Sequence, residues 1–281
     1  MEGIIDTLQS GTLIGVSDGS FCKGMGTAAW TLEASIGTSI TGGCVGPGLA
    51  HVHSSMRSEL AGLYAMLGLL SLIADYFDVK DGAITLACDG KNALGEIFDT
   101  NKSFRFGRAH NDLIRASRRF LDKLPFQVLW QHVKGHQLDN PFVEYGDLDR
   151  LSQLNEDMDI LAKTILSQVE HTVRPIQHKV FGEPWTIWHR SEKLCRDIPQ
   201  RLHDIIDGPA CLSYWARHDK FGNASHHDVD WDSIREFMST IDPKRARWLT
   251  NHTSGHCPVG TVMKKRTECI TDECPHCGQP E

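Results

Sequence analysis

Residues 14–20 read IGVSDGS, an apolar strand that ends in Asp18 followed by a glycine and a serine. Glu59 stands in SSMRSELAGLYAMLGLL (54–70), at the start of a long apolar helix, and Asp89 ends a second strand in ITLACDGKNAL (84–94). Asp159 lies in NEDMDILAK (155–163), on a helix that follows the loop HVKGHQ (132–137). Strand ends and helix faces converge in an α/β domain, so these four carboxylates can meet in space. Their mutual repulsion then predicts a site for divalent cations.

Composition sets broad limits on the class of protein. The chain has 281 residues and a 40% hydrophobic content, enough for one large or two ordinary domains. The net charge of −7 argues against general electrostatic binding of nucleic acid, because phosphate affinity comes largely from lysine and arginine. Nine cysteines without a charged-then-apolar leader predict an intracellular protein, nuclear or cytoplasmic and not secreted. The most apolar stretch, 63–74, falls short of the roughly 20 residues that span a membrane, so no membrane partner is expected.

The hydrophobic pattern predicts a defined order of elements over residues 8–172. Strands at 12–16, 27–33 and 37–44 are separated by glycine-bearing turns, which is typical of antiparallel pairing. A helix at 55–76, a strand at 83–88, helices at 91–98 and 108–123, a strand at 126–132 and a helix at 148–169 follow. In this last helix apolar residues at steps of three and four form one buried stripe, and Asp159 borders it. The expected α/β fold is a five-stranded mixed sheet flanked by helices.

This order of elements resembles the ribonuclease H fold. The motifs that strengthen the match are a strand-ending Asp18, a Glu59 that opens the first long helix, a second strand-ending Asp89, and Lys134-Gly135-His136 ahead of Asn155-Glu156-x-x-Asp159. The residues around His136 and Asn155 look most like the ribonuclease H domains attached to reverse transcriptases of retroelements. The resemblance implies an endonuclease of the hydrolase class that cleaves the RNA strand of RNA/DNA hybrids, with other domains of a retroelement polyprotein as further partners.

The resemblance also implies a role for each catalytic residue. Asp18 would bridge two Mg²⁺ ions, with Mn²⁺ as a substitute, and Glu59 and Asp89 would hold the ion nearer the leaving group. Asp159 would complete the ion that activates water. His136, on a loop, would assist product departure or proton transfer, which suits an imidazole whose unperturbed pKa is about 6.5.

Basic residues predict a nucleic-acid-binding surface. Lys91 follows Asp89 closely and is expected to meet a substrate phosphate. Four arginines at helical spacing fall within a common arc that can track a phosphate backbone, namely Arg105, Arg108, Arg115 and Arg119. The alternative interpretation of these arginines is a solvated helix face.

Two stretches depart from the pattern of the family. Many ribonucleases H have an Asn-Pro turn after the first strand, whereas residues 21–26 here read FCKGMG. The asparagine pair that often precedes the helix glutamate is replaced by Ser55 and Met56. In the family these groups help to distinguish RNA from DNA through the 2′-hydroxyl. The resemblance therefore implies less about substrate selectivity than about metal binding.

Beyond residue 172 the character of the chain changes. Residues 173–190 are predicted to be a linker or extended segment, and 191–281 a smaller, mainly helical region. Near the end, Cys274 and Cys277 are two residues apart, a spacing that predicts part of a tetrahedral Zn²⁺ site. Upstream candidates for the remaining ligands are His252, His256, Cys257 and Cys269. The segment also resembles the zinc-binding region that follows ribonuclease H domains in retroelement polyproteins, here in truncated or degenerate form. The alternative is a pair of free thiols.

Each carboxylate taken singly has a simpler interpretation. An Asp before Gly at a strand end usually serves to form a turn, and a Glu in the first turn of a helix interacts with the macrodipole.

Two other classes of function also stay open. A catalytically inactive, retroelement-derived nucleic-acid-binding domain is favoured by the altered loops. A DNA strand-transfer enzyme of the same superfamily is disfavoured by Glu59, because those enzymes lack a glutamate at the start of the first long helix.

Overall fold

The computed structural model describes residues 1–35, 37–99, 108–169, 179–217, 230–253, 264, 271–273 and 279. Within these, the chain divides into two compact units, Met1–Leu202 and His203–Glu281. The strands and the candidate site belong to the first unit. The two units are therefore described separately.

The first unit begins with a helix that the sequence pattern did not predict, α1 (Glu2–Ser10). Its apolar residues Ile4 and Leu8 are buried in the core. The elements that follow are β1 (Leu13–Cys22), β2 (Met25–Ser35), β3 (Thr38–Val45), α2 (Ser55–Phe77), β4 (Ala83–Cys88), α3 (Lys91–Phe98), α4 (Asn111–Leu121), β5 (Gln127–His132) and α5 (Arg150–Val169). All the predicted strands and helices of this region are present, and the first strand is longer than predicted because it continues past Asp18 into a hairpin turn.

The five strands form one mixed sheet in the order β3-β2-β1-β4-β5. Strands β1, β2 and β3 pair antiparallel, whereas β1, β4 and β5 pair parallel. The parallel pairs are linked by helical crossovers, as such connections require. This mixed five-stranded sheet flanked by helices confirms the predicted fold class.

Alternate residues of β1 face opposite layers of the protein. Gly15 and Ser17 face α2, since a Cβ on Gly15 would meet the Met66 side chain and Ser17 lies against Gly62. Val16 faces the other way, where it packs with Leu154 of α5. A strand has a side-chain period of two, so Asp18 lies on the α5 face as Val16 does. The sheet is thus a middle layer between α2 and α5, and β1 is covered on both faces.

Helix α2 is the central helix of the core. Its 23 residues include a row of fully buried apolar side chains, among them Leu60, Leu63, Met66, Leu67 and Leu70. By length and composition alone α2 could cross a membrane, whereas its most apolar stretch, 63–74, is too short to do so. Half of its most apolar window is buried inside the protein, and core helices of soluble proteins pass the same test.

Residues 179–202, which fall in the predicted linker and the start of the predicted helical region, belong to the first unit. They include the short hairpin β6 (Trp188–His189) and β7 (Glu192–Lys193) and the beginning of α6 (Ile198–Arg217). Val180, Leu194 and Ile198 are buried. This segment is therefore packed chain rather than a solvated connection.

The described part of the second unit is helical. It contains the rest of α6, then α7 (Trp231–Thr240) and α8 (Pro243–Thr253). Helix α6 contains Pro209 and runs through this proline without a break. Asp230 caps α7, because its carboxylate accepts from the Ser233 backbone N–H at 3.0 Å.

Candidate active site

Asp18 and Asp89 are brought side by side by the register of the parallel strands. Val16 of β1 is aligned with Ala87 of β4, so two residues further along each chain the positions are Asp18 and Asp89. Strand β4 ends at Cys88, while β1 continues, which leaves a step at the end of the sheet. Both carboxylates lie at this step.

Glu59 reaches the same step from the second turn of α2. The backbone N–H of Gly19 donates to Asp18 Oδ1 at 2.6 Å and to Glu59 Oε1 at 3.2 Å, so one amide joins two carboxylates. A Cβ on Gly19 would lie 2.6 Å from the Glu59 backbone nitrogen, which means that β1 and α2 can approach this closely only at a glycine. Side-chain ligand atoms of Glu59, Cys88 and Asp89 all lie within 4.8 Å of one another.

Asp159 approaches from the opposite layer, on α5. Its Oδ2 accepts from Lys163 Nζ at 2.6 Å and lies 3.7 Å from His136 Nδ1. The side chain is 10% exposed, whereas that of His136 is 52% exposed. The carboxylate cluster, defined as Asp18, Glu59, Asp89 and Asp159, thus draws its members from β1, α2, the end of β4 and α5.

The pKa values of the cluster show that its negative charge is poorly compensated. Burial raises the pKa of Asp18 from 3.8 to about 7, with further contributions from the charges of Asp89 and Asp159. Burial, followed by repulsion from Asp18 and Asp89, raises the pKa of Glu59 well above its ordinary value. Burial also raises the pKa of Asp89, although His136 opposes the shift. Several carboxylates that disfavour one another's charge form a set of hard oxygen donors for a divalent cation.

The loop that carries His136 is held over the cluster by backbone contacts. A Cβ on Gly135 would overlap the Asp89 carboxylate, so this loop needs a glycine where it passes the cluster. His132 Nε2 donates to the Asp89 carbonyl at 3.0 Å. His136 itself adopts a left-handed backbone conformation with φ of 52°. Lys91, at the start of α3, is exposed.

Sequence reasoning missed two residues at the site. Glu156 is 5% exposed and accepts from the Gln137 backbone N–H at 2.6 Å. It therefore anchors the loop next to His136. Cys88 is fully buried, and its thiol donates to Glu59 Oε2 at 3.2 Å. The spacing of Glu156 and Asp159, three residues apart on a helix, was the available signal that the two share a face.

The predicted basic surface is only partly available to a ligand. Arg115 is 10% exposed, since its guanidinium donates to Glu183 Oε1 at 2.8 Å and lies 3.6 Å from the centre of the Trp185 ring. The prediction that it tracks a phosphate backbone is corrected accordingly: Arg115 packs and forms an ion pair inside the unit. Arg108 donates to Glu96 at 2.5 Å and is one-third exposed.

The other two predicted phosphate-binding arginines are Arg119 and Arg105. Arg119 is exposed, in a cleft of about 680 Å³ near the end of α4, and stays a candidate contact for a phosphate. Arg105 lies outside the described residues.

The predicted zinc ligands Cys274 and Cys277 also lie outside the described residues, as do His256, Cys257 and Cys269, so the zinc site stays a prediction.

Comparison with known proteins gives matches among solved structures. No protein-family model and no curated protein matches the chain. Of the solved structures, 143 chains match. One is ribonuclease H1 from the halophilic archaeon Halobacterium salinarum NRC-1, with 18% identity and a TM-score of 0.35, covering 56% of this chain and 98% of that chain. Another is LC11-RNase H1 in complex with an RNA/DNA hybrid, with 9% identity and a TM-score of 0.39, covering 56% of this chain and 99% of that chain. Likeness at this level carries no argument about activity.

Proposed function

We propose that this protein is a metal-dependent endoribonuclease that cleaves the RNA strand of RNA/DNA hybrids. The observation that carries the proposal is the convergence of four carboxylates from four separate elements at one step of the sheet. A structural role does not account for them, because their proximity disfavours the ionised forms. Hydrolysis of a phosphodiester accounts for all four.

The residues present fit a pair of divalent cations. Asp18, Glu59, Asp89 and Asp159 offer oxygen ligands, and the raised pKa values of Asp18, Glu59 and Asp89 mean that positive charge placed among them is favourable. When bound, two such ions neutralise phosphate charge and provide a nucleophile at neutral pH. Mg²⁺ is the proposed ion, with Mn²⁺ as a substitute.

The other residues of the site would act on the substrate and the proton. His136 is half exposed and lies within 4 Å of Asp159, so its imidazole can take up or release a proton at the edge of the cluster. Lys91 is exposed two residues from Asp89 and would meet a phosphate of the RNA strand. Glu156 would act indirectly, by holding the loop that carries His136.

A retroelement origin is the finer part of the proposal. It rests on the sequence around His136 and Asn155 and on the Cys274 and Cys277 pair, which would bind Zn²⁺ with upstream ligands. Metal analysis of the full chain tests the zinc part: zinc that is present in the wild type should be lost in Cys274→Ser. Unchanged zinc content would exclude this cysteine as a required ligand.

The test of activity compares three substrates. Purified protein is incubated with labelled RNA/DNA hybrid, double-stranded DNA and single-stranded RNA, with and without Mg²⁺. We expect cleavage of the hybrid RNA only, leaving a 3′-hydroxyl and a 5′-phosphate, and loss of cleavage in Asp89→Asn. The control Asp6→Asn, an exposed aspartate on α1, should cleave like the wild type.

The alternative is a nucleic-acid-binding domain without activity. The altered stretch 21–26 and the substitution of Ser55 and Met56 for the family's asparagines favour it. Binding of the hybrid without cleavage, in the presence of Mg²⁺ or Mn²⁺, would support this alternative and contradict the proposal. Nicking or joining of DNA would instead indicate a strand-transfer enzyme.

A further inference from the structure

A buried row of charges joins α2 and α4 to a segment that the sequence pattern assigned largely to a linker. We name residues 179–195 the clasp segment. The row contains Arg57 from α2, Asp112 and Arg115 from α4, and Glu183 and Lys193 from the clasp segment. Each of these side chains is at most 10% exposed. Buried charges need close partners of opposite sign, and here the signs alternate along the row.

The contacts in the row are short and specific. Arg57 donates to both carboxylate oxygens of Asp112, at 2.9 and 2.7 Å. Lys193 Nζ lies 3.2 Å from Asp112 Oδ2 and 2.6 Å from Glu183 Oε2. Glu183 Oε1 accepts from Arg115 at 2.8 Å. The Cys195 thiol also donates to Asp112 Oδ2, at 3.5 Å. Lys193 is therefore the charged group through which the clasp segment reaches Asp112.

Further contacts fix both ends of the clasp segment. The Tyr64 hydroxyl on α2 donates to the Phe181 carbonyl at 3.1 Å. The Asn111 backbone N–H at the start of α4 donates to the Cys195 carbonyl at 3.2 Å. Between them the Trp185 ring lies against the Arg115 guanidinium. The segment is thus bound to the same two helices along its length.

Arg57 connects this row to the carboxylate cluster. It precedes Glu59 by two residues, and a helix turns by about 100° per residue, so the two side chains point to nearly opposite sides of α2. Arg57 faces α4 and also donates to the Pro47 carbonyl at 2.6 Å, while Glu59 faces Gly19 and Cys88. The N-terminal end of α2 is therefore held on one side by the ion pairs of Arg57 and on the other by the contacts of Glu59 in the cluster.

We propose that the clasp segment is a positioning element of the active site: Lys193, acting through Asp112 and Arg57, fixes the first turn of α2 and with it the Glu59 carboxylate. This inference rests on the proposed function. Without the Lys193 ammonium, Asp112 and Glu183 each lose a buried partner and the start of α2 is held less tightly. A small displacement of a group that binds the reacting centre lowers the rate of the chemical step more than it lowers substrate binding.

The experiment uses Lys193→Met in the full chain, which removes the charge and keeps most of the length. We expect kcat for hybrid cleavage to fall about tenfold or more, KM to change by less than about twofold, and the Mg²⁺ concentration for half-maximal rate to rise. The matched control is Lys80→Met, a 74% exposed lysine in the turn after α2, which should behave like the wild type.

The outcomes separate a positioning role from a purely structural one and from failure of the proposed function. A Lys193→Met protein that melts at a lower temperature but matches Lys80→Met in kcat and in Mg²⁺ dependence would overturn the inference. If Lys193→Met does not fold, Glu183→Gln takes its place, since it keeps the shape of the side chain and removes only the charge. A wild type that does not cleave the hybrid would contradict the proposed function. The positioning role of the clasp segment is then tested by Mg²⁺ affinity, measured by calorimetry, and equal affinity in Lys193→Met and wild type would overturn it.

Discussion

Replacement of Asp18 by asparagine should stabilise the metal-free protein at alkaline pH. Asp18 is 3% exposed, and its pKa in the folded protein is raised from 3.8 to about 7 by burial and by Asp89 and Asp159. A carboxylic acid with a raised pKa binds its proton more tightly in the folded than in the unfolded state. The stability of the wild type therefore falls as pH rises from about 4 to about 7, and stays at the lower level above that range.

The magnitude follows from the interval between the two pKa values. Each pH unit corresponds to about 1.4 kcal/mol, so the full interval from 3.8 to about 7 gives at most about 4 kcal/mol. Part of the shift comes from neighbouring carboxylates that gain protons in the same range, so we expect Asp18→Asn to be more stable by about 2 to 4 kcal/mol at pH 8. Asparagine keeps an oxygen acceptor for the Gly19 N–H, which donates to Asp18 at 2.6 Å.

The assay is urea unfolding of the full chain with EDTA, followed by far-ultraviolet circular dichroism at pH 4 and pH 8. The difference between Asp18→Asn and wild type should shrink to below about 1 kcal/mol at pH 4, where the wild-type side chain is already protonated when folded. Added Mg²⁺ at pH 8 should stabilise the wild type more than the variant, because a ligand that binds only the folded state raises its stability. Asp6→Asn should match the wild type throughout. A variant that is less stable than wild type at pH 8, or a difference independent of pH, would refute the crowding of these carboxylates.

Two further changes test contacts beside the cluster. Glu156→Gln weakens the hydrogen bond to the Gln137 N–H, so amide hydrogen exchange in the loop that carries His136 should rise about tenfold, as measured by mass spectrometry. Exchange in α2 should stay unchanged as the control, and equal exchange in the loops of variant and wild type would contradict the anchoring role. Arg57→Met leaves the buried Asp112 carboxylate without its bidentate partner and should lower the free energy of unfolding of the first unit by about 3 kcal/mol or more in urea unfolding. A decrease below about 1 kcal/mol would show that the ion pair is not needed for stability.

The parts of the fold that the sequence predicts well are those set by neighbours along the chain. Alternation of side chains and glycine-bearing turns locate the strands, and helical spacing locates α2 and α5 within a few residues. Asp18 and Asp89 follow directly, because a carboxylate at the end of a strand needs only the strand to be placed. Helix α1 was missed because its apolar stripe is short, with Ile4 and Leu8 as its buried members.

The parts that sequence reasoning does not reach depend on partners far along the chain. Glu183 falls in the stretch predicted to be a linker and Lys193 in the predicted helical region, yet both are buried and their charged groups lie 2.6 Å apart. Arg115 reads as one of several surface arginines, and its burial depends on Glu183, 68 residues later. Charged residues carry no hydrophobic period, so their burial is visible only when the pairs are known. The same reason hides Glu156, whose partner is a backbone amide of the loop.

Helix α2 contributes Glu59 to the carboxylate cluster, where like charges repel, and Arg57 to a buried row of ion pairs, where opposite charges attract. The clasp segment supplies part of that second, attractive set. Crowded carboxylates push Glu59 away from Asp18 and Asp89 whenever their charges are not balanced. A helix held only by apolar packing could relieve that repulsion by shifting or fraying at its first turn. Arg57, two residues before Glu59 and on the opposite side of α2, donates to Asp112 and to the Pro47 carbonyl, and these contacts resist the shift. The carboxylates can therefore stay close before a cation arrives, so that binding energy is not spent on gathering them.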